Sequence, residues 1–441
     1  MKKAGNVQRS VGLVVVWCLL AGLVIGCSGG KAGAPASPAA PSATSSSSTS
    51  AEPSTPSASS PSESVPPETT PPAEEDPIEL LLAKMTLEEK VGQVIVAGIE
   101  GTRIDDKMKK LIAEQHVGGL IWYKNNFSDL KGSVQLVNEL KRANDGNPLP
   151  LFMSVDQEGG KVSRLPKDFT AMPDAVKVGR TGKPELAEEM GALLSNELRL
   201  MGFNMNFAPV LDVNSNPANP VIGTRAFGRD AESVATMGVA AMQGLQHGGT
   251  IAVVKHFPGH GDTSVDSHLE LPSVGKTIAE LEKLEWIPFR AAIQEGTDAV
   301  MIAHILFPKI DPDSPSSLSK TVITDLLRDR LGYAGVVITD DMTMGAIARN
   351  YGIEDASLQS FLAGSDLLLV AHGYDTARKV YDRLLEAVNS GALPESRLDE
   401  SLRRIIALKL KYKLSDEAIP VPSASALPNA AIQQWLKRLE Q

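Results

Sequence analysis

The chain has few cysteines, few aromatic residues and no excess of positive charge. Two cysteines in 441 residues are too few for a disulfide scaffold or a cysteine-rich metal site. The formal net charge of −10 argues against a general nucleic-acid binder, because the phosphate backbone requires a basic surface. Aromatic residues form 5% of the chain, which is low for a β-sandwich. The hydrophobic share of 42% and the charged share of 22% are ordinary for a globular protein.

The N-terminus carries an apolar run, residues 11–25, behind three basic residues. This run is shorter than the roughly 20 residues of a transmembrane helix and suits the centre of a signal peptide. Cys27 follows it in a segment that resembles a bacterial lipobox. We therefore expect residues 1–26 to be a lipoprotein signal peptide and the Cys27 thiol to carry a lipid. An uncleaved anchor helix is the alternative, and in both cases the protein is exported and held at the bacterial cell membrane, facing the cell wall.

Residues 27–76 contain Cys27 and a segment rich in serine, proline, threonine and alanine. This segment has no apolar periodicity and cannot build a core. We expect a disordered linker that separates a folded domain from the membrane.

From residue 77 onward, short β-branched runs alternate with longer helical patterns. The runs that we interpret as strands are 94–97, 119–123, 151–155, 205–209, 251–255, 299–303, 335–339 and 367–371. The clearest helical stretches are 186–201, 230–247, 278–295, 322–331 and 398–413. This alternation predicts an α/β fold, a single (β/α)₈ TIM-type barrel over residues 77–415. A doubly wound sheet is the alternative, but the glycine-rich nucleotide motif that usually accompanies this fold does not follow the early strands here. Residues 416–441 form a C-terminal tail with a short helical pattern at 430–439.

Ionisable residues follow several of the predicted strands, where active sites of barrels lie. They are Asp156 after the third, Lys255 and His256 at the fifth, His304 after the sixth, Asp340 and Asp341 after the seventh, and His372 after the eighth. Ionisable groups are costly at buried strand ends unless they have partners. These residues are therefore candidates for an active site, with a structural polar layer as the alternative.

The loop after the fifth strand is dense in polar residues and contains a proline and two glycines that disfavour a helix. Asp266 and His268 are two positions apart, so the carboxylate can orient the imidazole and make His268 a proton shuttle. The set His256, His260 and Asp262 also allows a metal site, although the usual zinc motif requires a helix. We expect His260 to hold the loop in place.

Five separated motifs resemble those of family 3 glycoside hydrolases, in the β-N-acetylglucosaminidase branch. They are DQEGGKVSR at 156–164, FAPVLDV at 207–213, IGTRAFG at 222–228, KHFPGHGDT at 255–263 with DSH at 266–268, and ITDDM at 338–342. The resemblance covers about residues 78–415 and implies a (β/α)₈ barrel that hydrolyses glycosides with retention. It matches Asp340 to the nucleophile, with Asp341 as second choice, and Asp266 with His268 to the acid/base dyad.

The resemblance also implies the sugar-binding positions, which are Asp156, Arg164, Arg225, Lys255 and His256. Lys161 occupies a position where the family commonly has an arginine. Its ammonium group supplies a point charge there, whereas an arginine guanidinium would supply a fork of hydrogen-bond donors. The implied substrate is terminal β-linked GlcNAc, from peptidoglycan fragments given the expected location. We expect no cofactor, no metal and no nucleic-acid partner, and a monomer. The alternatives are a GlcNAc phosphorylase with the same site, a β-glucosidase-type enzyme and a tethered sugar-binding lipoprotein.

Overall fold

The computed structural model describes residues 76–441. The predicted signal peptide, Cys27 and nearly all of the predicted linker lie outside these residues. Within them, no helix combines the length and the apolar character needed to cross a membrane.

Eight parallel strands form one sheet that curls into a nearly closed barrel. The strands are β1 (Ile95–Gly98), β2 (Gly119–Trp122), β3 (Phe152–Val155), β4 (Met205–Asn206), β5 (Ile251–Phe257), β6 (Ala299–Ile302), β7 (Val336–Thr339) and β8 (Leu368–Val370). They follow one another around the sheet, and β1 pairs with both β2 and β8. The predicted barrel is therefore confirmed, and the open doubly wound sheet is excluded.

Helices alternate with the strands around the barrel. The α-helices are α1 (Pro77–Leu82), α2 (Leu87–Gln93), α3 (Asp106–Ala113), α4 (Leu130–Ala143), α5 (Ala175–Gly179), α6 (Pro184–Leu200), α7 (Ala231–His247), α8 (Ile278–Glu282), α9 (Trp286–Gln294), α10 (Gly345–Ala348), α11 (Ile353–Ala363), α12 (Tyr374–Asn389), α13 (Glu395–Lys411) and α14 (Asn429–Leu439). A helix of π type, Thr321–Arg330, follows β6. Short 3₁₀ turns lie at Lys124–Asn126, Gly223–Arg225, Ser316–Leu318 and Ala424–Ala426.

The stretch 278–295 differs from the sequence prediction, because the structure divides it into α8 and α9. Pro288 lies in the first turn of α9. Proline has no N–H group, and its ring clashes with the carbonyl four residues earlier, which here belongs to Leu284. A continuous helix through this point is therefore disfavoured, and the chain turns before α9 begins.

The barrel strands are buried along their whole length. This is usual for parallel strands that are covered by helices on the outside and by side chains within. Polar residues such as Lys255 and His256 occur at the carboxyl ends of the strands, and they are buried as well.

The barrel closes between β7 and β8 through few backbone contacts, including a bridge between Ile338 and Leu367. Side chains add to this closure. Thr339 Oγ1 accepts a hydrogen bond from the backbone N–H of Leu369 at 3.0 Å. Asp341 Oδ1 accepts one from the N–H of Ala371, also at 3.0 Å. We call this junction the β7–β8 seam.

Candidate active site

A cleft opens where the parallel strands end. Most of the residues predicted for the site line it, namely Asp156, Arg164, Arg225, Lys255, His256, His268 and Asp340. Asp266 contacts the side chain of His268. The fold explains this convergence, because each parallel strand delivers its last residues to the same end of the barrel.

Four charged side chains form a connected cluster in the cleft. Nζ of Lys255 lies 2.6 Å from Oδ1 of Asp156 and 2.7 Å from Oε1 of Glu158. Arg225 donates two hydrogen bonds to the Glu158 carboxylate, at 2.8 Å from Nε and 2.7 Å from Nη2. Such bidentate, charge-assisted contacts fix the cationic groups in position before a ligand arrives.

Glu158 lies in the motif at 156–164 and lines the cleft, but it was not among the predicted site residues. Burial raises the pKa of Glu158, but Arg225 and Lys255 more than offset this and hold it well below its usual range. Glu158 therefore remains a carboxylate near neutral pH and has no proton to donate. Its role was not visible in the sequence because Arg225 is 67 positions away.

Asp212 orients His256 from beneath the cleft. It is fully buried, and its Oδ2 lies 2.6 Å from Nδ1 of His256. Because a carboxylate only accepts hydrogen bonds, Nδ1 carries a proton, and a neutral ring presents Nε2 as the acceptor. This Nε2 lies 3.5 Å from Nη2 of Arg225. Burial raises the pKa of Asp212, but His256 and His260 hold it below its usual value. Asp212 lies in the motif at 207–213, but its contact with His256, 44 positions away, was not predicted.

His260 holds the loop after β5, as the sequence analysis expected. Its Nε2 lies 3.0 Å from Oγ of Ser267, and its Nδ1 lies 2.9 Å from Oγ1 of Thr263. Burial lowers the pKa of His260 to about 4, so the ring is neutral near pH 7. Both ring nitrogens are engaged, which argues against the metal-site alternative. Within residues 76–441, no group of three or more His, Cys, Asp or Glu side chains is placed to hold a metal ion.

Asp340 follows β7 and presents a carboxylate to the cleft. Its Oδ1 accepts a hydrogen bond from the N–H of Asp341 at 2.9 Å. In the part of the chain that the structure describes, this is the one hydrogen bond made by the carboxylate. Burial raises the pKa of Asp340, but His256 and the Asp341 N–H contribute to holding it below its usual value. Asp340 is therefore an ionised carboxylate with one oxygen left free.

The carboxylate of Asp341 is occupied by contacts within the protein. Oδ1 accepts from the N–H and the hydroxyl of Thr343, at 2.9 Å and 2.8 Å. It also accepts the bond from Ala371 at the β7–β8 seam. These contacts make Asp341 a structural group, and they favour Asp340 as the reactive acid of the pair.

His268 and Asp266 form the pair that their spacing predicted. Nδ1 of His268 lies 2.8 Å from Oδ1 of Asp266, which also accepts the His268 backbone N–H at 2.9 Å. Burial raises the pKa of Asp266, but the N–H groups of His268 lower it below its usual value. The carboxylate therefore holds the Nδ1 proton, and Nε2 is the nitrogen left to exchange protons with a ligand.

The loop that carries His268 is tied to the segment that follows Asp340. The N–H groups of Gly345 and Ala346 donate to the carbonyls of His268 and Ser267, both at 3.1 Å. A Cβ atom at Gly345 would lie 2.6 Å from the carbonyl oxygen of His268. Glycine at 345 therefore permits the close approach of the two segments that carry His268 and Asp340.

His304, which lies two residues after β6, is fully buried and supports the turn after β7. Its Nε2 donates to the carbonyl of Asp341 at 2.9 Å, and its Nδ1 lies 2.6 Å from Oγ of Ser317. Burial lowers the pKa of His304. This strand-end histidine therefore has a structural role, as the alternative interpretation allowed.

Tyr123 and His372 form an aromatic pair in the cleft, with ring centroids 5.0 Å apart. The guanidinium carbon of Arg164 lies 5.9 Å from the centroid of Tyr123, a cation–π contact. Nε of Arg164 is buried and has no hydrogen-bond partner within residues 76–441. Tyr123 was not among the predicted site residues, and the available signal was its place at the end of the second predicted strand.

The chain is similar to known glycoside hydrolases. The profile for the glycosyl hydrolase family 3 N-terminal domain matches residues 86–408. A β-hexosaminidase from Neisseria meningitidis serogroup C is 35% identical over 64% of this chain and 79% of its own length. β-Hexosaminidase A from Pseudoalteromonas piscicida is 32% identical over 74% of this chain, which spans 58% of that relative.

Among solved structures, a family 3 β-N-acetylglucosaminidase from Paenibacillus sp. FPU-7 is 44% identical, with a TM-score of 0.77. The similarity covers 80% of this chain and 68% of that one. Because the family profile spans most of the barrel, including every strand-end residue of the cleft, the protein belongs to glycosyl hydrolase family 3.

Proposed function

We propose that the protein is a retaining exo-β-N-acetylglucosaminidase that removes terminal β-linked GlcNAc. One observation carries the mechanism: a free, ionised Asp340 and an Asp266-held His268 share one cleft. Family membership makes the chain a glycoside hydrolase. The proposed sugar follows from its relatives, which are named hexosaminidases and β-N-acetylglucosaminidases.

In the first step, the free carboxylate oxygen of Asp340 attacks C1 of the sugar from the face opposite the leaving group. His268, protonated at Nε2, donates that proton to the glycosidic oxygen as the C1–O bond breaks. The aglycone leaves as an alcohol, and a covalent glycosyl-enzyme remains. Asp266 stabilises the protonated imidazole that enters this step.

In the second step, neutral Nε2 of His268 takes a proton from water while the water oxygen attacks C1. The bond from C1 to Asp340 breaks, and the carboxylate is restored. Two inversions leave the released sugar with its original β configuration. The imidazole ends the cycle protonated and ready for another substrate.

The other carboxylates of the cleft support a histidine as the proton donor. Glu158 is ionised between two cations, and Asp156 is paired with Lys255. Asp341 is occupied by the turn that follows it. Most retaining glycosidases use a second carboxylic acid, but each alternative acid in this cleft is already engaged.

The charged cluster supplies groups suited to a sugar. Carboxylate oxygens of Asp156 accept hydrogen bonds from hydroxyl groups, and the cations Lys255 and Arg225 donate to ring or acetamido oxygens. The unpartnered Nε of Arg164 is a further donor in the cleft. We assign sugar binding to these four residues and to His256.

We expect the wild-type protein to hydrolyse nitrophenyl-β-GlcNAc far faster than nitrophenyl-β-glucoside. The glucoside lacks the acetamido group, so the buried protein donors that would bind this group stay unpaired. Unpaired buried donors strongly disfavour the glucoside as a substrate. The test compares kcat/KM for the two substrates and identifies the product with and without inorganic phosphate.

The products separate the alternatives. β-GlcNAc formed in both conditions supports the proposal, whereas α-GlcNAc would contradict retention. GlcNAc-1-phosphate as the main product in phosphate would establish a phosphorylase. Cleavage of the glucoside faster than the GlcNAc substrate would establish a β-glucosidase. Sugar binding without turnover would establish a sugar-binding lipoprotein.

The expected location suggests the natural substrate. We propose that the protein is lipid-anchored through Cys27 on the outer face of the bacterial cell membrane, with residues 27–76 as a spacer. An enzyme in that position meets peptidoglycan, so the proposed substrates are GlcNAc-MurNAc fragments.

The wild-type protein is expected to begin at Cys27 and to carry a lipid on the thiol, whereas Cys27→Ser is expected to carry none, because the thiol that accepts the lipid is lost. Membrane fractionation with mass spectrometry of the mature N-terminus measures this. A wild-type protein that keeps residues 1–26 and carries no lipid on Cys27 would establish the uncleaved anchor instead.

A further inference from the structure

The segment after α13, residues 412–441, runs along the outside of the barrel and reaches a loop of the cleft. We call it the C-terminal strap. It lies beyond the family match, which ends at residue 408. None of its residues lines the cleft, so the proposed mechanism leaves it without a function.

The first half of the strap is fixed near the end of the barrel where β3 begins. Asp416 accepts hydrogen bonds from the side-chain amide of Asn144 at 2.7 Å and from the N–H of Leu151 at 3.3 Å. Asn138 on α4 then bonds to both backbone groups of Ile419, at 2.9 Å and 2.8 Å. These contacts attach the strap by specific side chains.

The second half reaches the loop that follows β3, at the cleft end of the barrel. Asn429 accepts the N–H of Thr170 at 2.7 Å through Oδ1 and donates through Nδ2 to the carbonyl of Asp168 at 2.8 Å. One amide side chain therefore pairs with two backbone groups of the loop, as a neighbouring strand would.

Helix α14 fixes Asn429 in place. Ile432 and Trp435 are fully buried against the barrel helices. Nε1 of Trp435 donates to the carbonyl of Leu186 at 3.1 Å. Arg438 forms an ion pair with Glu189 on α6. Asn429, at the start of this helix, is thus held on a rigid support.

The same loop carries Arg164, a few residues before the contact with Asn429. The backbone N–H of Arg164 donates to Oε1 of Gln157 at 2.7 Å, but its guanidinium makes a cation–π contact and leaves Nε unpartnered in the described chain. The position of the guanidinium therefore depends on the backbone that carries it.

We propose that Asn429 is a positioning residue for sugar binding, through which the C-terminal strap holds the loop 156–174 and its Arg164 at the cleft. The proposal rests on the role of Arg164 in the proposed function. Asn429 does not touch the sugar, and its effect is transmitted through the backbone between Arg164 and Asp168.

The test compares Asn429→Ala with Arg438→Ala, which removes a contact from the same helix away from the loop. Asn429→Ala is expected to raise KM for nitrophenyl-β-GlcNAc about fivefold, the effect of about one net hydrogen bond, with kcat changed less than about twofold. Asn429→Asp, which keeps the acceptor for Thr170, is expected to lie between Asn429→Ala and wild type. Arg438→Ala is expected to keep the wild-type KM.

A double-mutant cycle with Arg164→Ala separates positioning from general destabilisation. In the Arg164→Ala background, Asn429→Ala is expected to have almost no further effect on KM. An equal rise in KM with and without Arg164, or an unchanged KM in Asn429→Ala, would overturn the proposal.

Amide hydrogen exchange provides a readout that does not require activity. Asn429→Ala is expected to accelerate exchange through residues 161–170, and Arg438→Ala is not. Acceleration confined to residues 168–170 would overturn the proposal. A wild-type protein that cleaves no GlcNAc substrate would overturn the proposed function, while exchange would still decide whether the strap holds the loop.

Discussion

Replacement of Asp340 by asparagine is expected to reduce kcat for nitrophenyl-β-GlcNAc by roughly 10⁴-fold or more, the scale seen when a nucleophile is removed. Asparagine has nearly the same shape and can still accept the hydrogen bond from the N–H of Asp341. The variant therefore loses the negative charge and the nucleophilic oxygen while keeping the local contacts. Steady-state kinetics, with a thermal melt to verify folding, measures the effect.

The matched control is Asp341→Asn, which changes the neighbouring acid in the same way. Its carboxylate accepts bonds from Thr343 and Ala371, so we expect a lower thermal stability and a much smaller loss of kcat. If Asp341→Asn were inactive and Asp340→Asn active, the assignment of the nucleophile would be reversed.

The smaller variant Asp340→Ala adds a stereochemical test. Alanine leaves space for an external anion such as azide on the face from which Asp340 attacks. Azide is expected to restore turnover of an activated aryl substrate and to yield the α-glycosyl azide. A β-glycosyl azide would show that the attack comes from the other face.

Replacement of His268 by alanine is expected to slow glycosylation by about 10²–10⁴-fold for substrates with poor leaving groups, the usual contribution of a general acid. The loss is expected to shrink for dinitrophenyl-β-GlcNAc, because that leaving group departs without protonation. Pre-steady-state kinetics on a series of aryl glycosides measures how the glycosylation rate depends on the leaving group.

His372→Ala is the matched control for this series. Both histidines line the cleft, and their side chains are similarly exposed, 66% for His372 and 62% for His268. His372 packs against Tyr123, and its Nε2 lies 3.8 Å from Oδ2 of Asp341, whereas Nδ1 of His268 lies 2.8 Å from Oδ1 of Asp266. We expect the loss of glycosylation rate in His372→Ala to be independent of the leaving group. Equal losses of rate across the series in His268→Ala would contradict the acid role of His268.

The sequence predicted the barrel because its signals are local. Each β-branched run is short and is followed by a helical pattern, and parallel strands require such crossovers. The cleft followed from the same reasoning, since Asp156, His256 and Asp340 all occur where a predicted strand ends. Spacing alone also indicated the pairing of Asp266 with His268.

The missed features depend on contacts between distant parts of the chain. Glu158 and Asp212 act through partners on other strands, and no local pattern identifies those partners. Asn429 lies 259 positions from Thr170, so the helical pattern at 430–439 predicted α14 but not its neighbour. Whether a buried acid is reactive or structural, as with Asp340 and Asp341, depends on hydrogen bonds that form only after folding.

The β7–β8 seam links the closure of the barrel to the position of Asp340. Thr339 ends the strand that leads to Asp340, and its hydroxyl also closes the barrel. Asp341 shapes the turn beside Asp340 and makes a second closing bond. A substitution at Thr339 or Asp341 is therefore expected to alter both the closure of the barrel and the position of the Asp340 carboxylate. Few substitutions that raise thermal stability are therefore expected to be tolerated at this junction, and more are expected in the helices far from it.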